Sequence, residues 1–313
     1  MRQIAAAILA LILGGCAVST RAPPHTVEEP AYAVPAGRPV RLAVVLSSGA
    51  MRGFAHVGVL RELRAQGIVP DLVVGTSVGA IVGALFASGA TDGEMLAAAR
   101  DFGSDLLVDW TMPRLGLLPG RSIHAFIDRH AKRHRIETFP IGFAAVAVEA
   151  ERACLQIFNA GDVGKATQAS STIPVVLAPP EISGQHYLDG GLASPLPARV
   201  ARALGAERVI AVDVTFDPAQ RGFGSILEAF WRTTLMMHWT LAVNERQDAD
   251  HVIVPMLPPE SRIGFGSRET LIEAGAEAVR KDLPEIRKAL AVPPRAPAGT
   301  VHPVLKALLC PAP

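Results

Sequence analysis

The sequence predicts an α/β domain built on a parallel sheet with helices on its faces, and three observations carry that prediction. Short apolar runs recur along the chain, the first being residues 41–46, which end in Leu-Ala-Val-Val-Leu. Runs of this kind suit strands buried on both faces. Stretches of helical length separate them, and strand–helix–strand–helix spacing marks βαβ units. Half of the 313 residues are hydrophobic and only 5% aromatic, which fits a core of Ala, Val and Leu and argues against extended disorder.

The elements follow in order. Residues 1–15 read as a secretory signal, with Arg2 at the start, an apolar run over 4–13, and small residues at the end. Ten apolar residues are too few to cross a bilayer, which takes about twenty in a helix. Leu13-Gly14-Gly15-Cys16 resembles the lipobox of bacterial lipoproteins. That resemblance implies acylation of Cys16 and a membrane anchor, and Ala17 after it resembles the class sorted to the outer membrane, facing the periplasm. An ordinary secretory signal is the alternative. Residues 16–39 hold five prolines and no apolar period, so they form a semi-extended tether.

The domain covers residues 40–290. After the strand at 41–46 comes a small-residue loop at 47–53, then a helix over 54–66 that Gly67 stops. A second strand at 71–74 leads through Gly75-Thr76-Ser77-Val78-Gly79 into a helix over 80–87. Strands are expected at 141–149, 153–158, 209–214 and 252–254, and helices at 164–171 and 269–290. Leu227, Trp231, Leu235, Trp239 and Val243 recur every fourth residue, as in a core-packing helix; a helix facing membrane or acyl chain is the alternative. Residues 291–313 are Pro-rich and expected to be poorly ordered.

Charge and cysteine content exclude several function classes. Lys and Arg number 30 against 29 Asp and Glu, which gives no basic face for nucleic acid. Three cysteines are too few for a disulfide framework. Cys154 reads as a small buried hydrophobe, with a Cys154–Cys310 bridge as the less favoured alternative.

Three segments could carry chemistry. Gly75-Thr76-Ser77-Val78-Gly79 fits Gly-x-Ser-x-Gly, in which flanking glycines let a serine stand on a sharp strand-to-helix turn. Such a serine needs a base. His251 and His302 lie late in the chain, where a Ser-His-Asp hydrolase would place its histidine. That fold needs several strands before the nucleophile, and only one strand and one helix precede the strand that carries Ser77. Asp189, followed by Gly190 and Gly191, offers a carboxylate instead, although Asp-Gly-Gly taken alone is also a plain tight turn. Ser48, Gly49, Ala50, Met51, Arg52 and Gly53 form a loop whose N–H groups could converge on an anion, or merely open a helix. The loop lacks the Gly-Lys-Ser/Thr ending of a Walker A phosphate loop.

In this order, with Ala169-Ser170-Ser171-Thr172-Ile173-Pro174 between the second and third segments, these motifs resemble the bacterial patatin-like phospholipases over about residues 41–290. The resemblance implies a three-layer α/β/α sandwich around a mainly parallel sheet. It further implies Ser77 as nucleophile, Asp189 as base, and residues 48–53 as the oxyanion loop with Arg52 at its basic position. No metal or cofactor is implied. The expected activity is hydrolysis of phospholipid or lysophospholipid esters. Acyl transfer would use the same residues, and a non-catalytic lipid- or partner-binding lipoprotein is a further reading. One departure stands out. The family pattern has three consecutive glycines where this chain has Ser48-Gly49-Ala50. A positive φ at Ala50 would cost about 1 kcal/mol or more and weaken the anion hole.

Overall fold

The computed structural model describes residues 39–103, 121–174, 177–215, 226–258, 268–293 and 302–311. The signal segment, Cys16 and most of the tether lie outside them, as do residues 294–301.

Strand β1 (Leu42–Leu46) is buried along its whole length, and its side chains alternate between two cores. Leu42, Val44 and Leu46 join one cluster, whereas Ala43 and Val45 join another on the opposite face. The first core is roofed by α1 (Phe54–Ala65), α2 (Val78–Ala87), α3 (Asp92–Asp101), α4 (Arg121–His130) and α5 (Val163–Ser170). The second is closed by α6 (Ala198–Ala203) together with Ala242 and Leu305. Period-2 alternation on a doubly covered strand thus gives the three layers directly.

The sheet also contains β2 (Leu72–Thr76), β3 (Gly142–Glu149), β4 (Cys154–Phe158), β5 (Glu181–Ile182), β6 (Gln185–Asp189), β7 (Arg208–Val212) and β8 (His251–Ile253). Its spine, β3-β2-β1-β7-β8, is parallel throughout, while β4 and β6 pair antiparallel to β3. The register on β3 fixes the site. β2 pairs with β3 up to Thr76, opposite Val146, and β6 pairs with it down to Asp189, opposite Ala147. β4 pairs with β3 from Ala145 to Glu149 and so occupies the other edge. β2 and β6 therefore share one edge of β3, run toward each other, and meet end to end.

The remaining elements are α7 (Ile226–Glu245), α8 (Arg268–Ala291) and α9 (Pro303–Leu308). α3, α4 and α6 were not expected, although a capping box opens α3: Glu94 N–H donates to Thr91 Oγ1, and Thr91 N–H donates to Glu94. Three expectations need correction. In the tail, residues 302–311 are ordered by α9, whose Leu305 is buried in the second core. Cys154 is not a free hydrophobe, because it is bonded to Cys310 across 156 residues of sequence. Finally, the apolar row on α7 is no core stripe. Val243 is exposed and Leu235 lines the Ser77 pocket, and among the described side chains of this helix only Ala242 joins the second core. The side chains of Leu227 and Trp231 lie outside the described residues.

Candidate active site

β2 ends at Thr76 and α2 starts at Val78, so Ser77 alone makes the turn, at φ 57° and ψ −125°. For a residue with a Cβ this conformation costs about 1–3 kcal/mol, and its surroundings must hold it. They do so at several points. Ser77 N–H donates to Ser170 Oγ at 2.9 Å, and the Ser170 hydroxyl donates to the Val146 carbonyl at 2.6 Å. The glycines on either side are demanded by close approach. A Cβ on Gly75 would lie 2.4 Å from the Gly79 carbonyl oxygen, and one on Gly79 would lie 2.3 Å from that of Leu46. The turn aims Ser77 at the pocket and puts it at the positive end of a buried helix.

Asp189 ends β6 and arrives from the other direction. Its N–H donates to the Thr172 carbonyl at 2.8 Å, which ties it to the 169–174 segment. Gly190 and Gly191 open a short turn, and Gly191 N–H donates to Asp189 Oδ1 at 2.7 Å. Ser77 and Asp189 line one pocket, and the serine hydroxyl acts on the carboxyl by lowering its pKa. Only 4% of Asp189 is exposed. Burial pushes its carboxyl up to about 6, against the downward pull of the Ser77 and Gly191 hydrogen bonds.

The 48–53 loop contributes less than its length suggests. Ser48 N–H is taken by the Pro195 carbonyl at 2.8 Å and Arg52 N–H by the Gly49 carbonyl at 3.1 Å. The Arg52 guanidinium donates to the Thr215 carbonyl. Met51 and Gly53 line a separate apolar cavity, so the part of the loop that borders the pocket with Ser77 and Asp189 reduces to Ser48, Gly49 and Ala50. Ala50 does take positive φ, 48°. Buried His56 fixes the start of the loop through a 2.9 Å contact with the Ser47 carbonyl, and burial lowers this imidazole to about 4.

Of the two histidines considered as bases, His251 faces Asp282 at 3.3 Å and His302 caps α9; neither lines the pocket. Three residues in or near the site carry no motif of their own. Ser170 lies in a quoted segment, yet nothing there marks it as the acceptor for Ser77. On α7, Glu245 receives the Leu196 N–H at 3.0 Å and hydrogen-bonds to the Ser194 hydroxyl, and burial pushes its carboxyl up to about 8. His238, also on α7, lines the pocket, and burial lowers it to about 4. Their spacing on one helix gives no hint of a partner in a loop 40 or more positions away. The one cluster of potential metal ligands among the described residues, Glu149, Cys154 and Cys310, has its sulfurs bonded to each other.

The patatin-like phospholipase profile matches residues 44–202, just over half of the chain and all of the segments above. An uncharacterized NTE family protein of Mycobacterium tuberculosis is 40% identical over 187 residues, 58% of this chain and 32% of that protein. Human patatin-like phospholipase domain-containing protein 6 is 31% identical over 239 residues, 72% of this chain and 17% of that protein. The chain thus matches a third or less of the length of these relatives. Among solved structures, VipD of Legionella pneumophila aligns over 80% of this chain and 67% of its own, at 11% identity and a TM-score of 0.49, a likeness too weak to decide anything. With the profile spanning the elbow, the loop and Asp189, the chain belongs to the patatin-like phospholipase family.

Proposed function

We propose that the chain is a lipid acyl-ester hydrolase of phospholipase A or lysophospholipase type, with Ser77 as nucleophile and Asp189 as its base. The observation that carries this reading is the end-to-end meeting of β2 and β6, which brings Ser77 and the buried carboxylate of Asp189 into one pocket. Ser77 Oγ attacks the ester carbonyl as its proton passes to Asp189. The Gly49 and Ala50 amides receive the oxyanion. Collapse breaks the carbonyl–alcohol bond, Asp189 returns the proton to the departing alkoxide, and water then releases the acid by the same route. A lipid substrate is supported by the apolar side chains next to the pocket, where Phe54, Val78, Met95 and Phe126 among others line a narrow cavity that shares Ala50 with it.

The test is ester turnover by the purified protein. Ser77→Ala and Asp189→Asn should each abolish it, and Ser77→Ala should abolish fluorophosphonate labelling; unchanged turnover in either variant rejects the dyad. Acyl transfer is separated by product analysis with an added acceptor alcohol. Because the base works ionised, kcat/KM should fall as pH drops through about 6. Stability should move the other way. The folded carboxyl binds its proton more readily than an unfolded Asp, at about 3.9, so the native state gains stability as pH falls from above 6 toward 4.

We also propose an envelope location with Cys16 as lipid anchor. The Cys154–Cys310 bond supports export to an oxidising compartment. Fatty-acid incorporation that survives Cys16→Ser would refute the anchor.

A further inference from the structure

We propose that His238 is a catalytic residue of this site, one that hydrogen-bonds through Nε2 to the oxygen of the departing alcohol. The inference rests on the hydrolase reading above.

Three observations meet at this side chain. His238 lines the same pocket as Ser77, Asp189, Gly49 and Ala50. Its Nε2 is sealed from solvent and has no hydrogen-bond partner among the described residues. A buried polar nitrogen left unmade costs about 1–3 kcal/mol, so one on a side chain that lines a ligand pocket is explained by a partner that arrives when a ligand opens the pocket around it. The third is its place beside the base. A Cβ on Gly191 would lie 2.8 Å from His238 Cε1, 3.2 Å from Nε2 and 3.0 Å from Asp189 Oδ1. Imidazole and carboxylate thus flank one point, with no side chain between them because residue 191 is glycine.

Chemistry selects the oxygen. When the acyl–enzyme forms, the bond between carbonyl carbon and alcohol oxygen breaks and the electron pair stays on oxygen. The proton taken from Ser77 returns from Asp189 to that oxygen, so the departing alcohol must stand beside Asp189, in the pocket that His238 also lines. Burial keeps the imidazole neutral above about pH 4. In its Nε2–H tautomer it donates one hydrogen bond to the developing alkoxide and gives up no net proton. The oxyanion, held at Gly49 and Ala50, is a different atom.

Leaving-group dependence separates this role from a structural one. Wild type, His238→Leu and His238→Gln are compared on two esters of one fatty acid: a p-nitrophenyl ester, whose phenolate departs without help, and a lysophosphatidylcholine, whose alkoxide does not. Fluorophosphonate labelling of Ser77, with fluoride as leaving group, is measured alongside. His238→Leu should lose about a hundredfold in kcat/KM on the lysophospholipid, and stay within about threefold of wild type on the nitrophenyl ester and in labelling. His238→Gln, which carries an N–H to nearly the same place, should recover most of the loss. Equal losses on both esters, or full lysophospholipid activity in His238→Leu, would overturn the assignment. If the leucine substitution does not fold, His238→Asn replaces it, since its shorter amide does not reach; an ester preference equal to that of His238→Gln then counts against the proposal. A wild type inert to all three reagents overturns the hydrolase reading instead, and this assignment with it.

Discussion

Two turns frame the pocket, and each holds one residue with a Cβ at positive φ: Ser77 at 57° in the elbow and Ala50 at 48° in the 48–53 loop. The elbow keeps both its glycines, whereas the loop has exchanged two of three for Ser48 and Ala50. The difference is steric. At Gly75 and Gly79 a Cβ would run into backbone atoms of a neighbouring turn or strand, 2.3–2.4 Å away, and backbone there cannot yield without parting α2 from the sheet. Ala50 is only half-buried and borders two cavities, so its methyl group has somewhere to go. A glycine required by close approach is fixed, but one required only by φ can be exchanged for about 1 kcal/mol of strain.

Gly79→Ala is the hardest test of that distinction. The added methyl would sit against the carbonyl oxygens of Leu46 and Ser47, both backbone, and the expected loss is about 3 kcal/mol or more in urea unfolding, or failure to fold. A variant within about 1 kcal/mol of wild type would show that α2 can shift and that the elbow's glycines are not steric. Gly49→Ala comes next. Its Cβ would lie 2.7 Å from Val214 Cγ2 and 2.9 Å from the Val214 carbonyl oxygen, and a side chain can rotate where a carbonyl cannot. At Gly49 φ is 164° and ψ 14°, outside the left-handed region, so the cost is set by these close contacts. A loss of about 1–2 kcal/mol is expected, with lower turnover because the anion-facing amide moves.

The same contrast explains what the sequence made legible. β1 and β2 are uniform apolar runs because both faces are covered, and uniform runs announce themselves. β6, Gln185–Asp189, borders the site with mixed burial and mixed polarity, so no period marks it as a strand. The motif segments named the Ser77–Asp189 pair and the positive φ at Ala50. They did not contain the reason the pair meets, which is a shared edge on β3 set by pairings 38 to 70 residues apart. For the same reason Ser170, Glu245 and His238 were invisible, since each matters only through a partner that folding brings near. The loop was overestimated because motif length does not reveal which amides the fold already uses, as at Ser48 and Arg52.

The smallest effect is the most discriminating. Ala50→Gly restores the residue the family pattern carries, and two terms oppose each other. Relief of the positive φ is worth about 1 kcal/mol, while the added freedom of glycine in the unfolded chain returns about 0.4–1 kcal/mol. The net should be a stabilisation below about 0.5 kcal/mol, near the limit of a careful chevron or urea comparison. Turnover separates what stability cannot. If the methyl group at position 50 tilts the amide that faces the oxyanion, Ala50→Gly should raise kcat by several-fold with KM unchanged, because an interaction gained only in the transition state appears in kcat. If the loop holds the same geometry with either residue, kcat stays as it is, and the exchange of glycine for alanine was bought with strain alone.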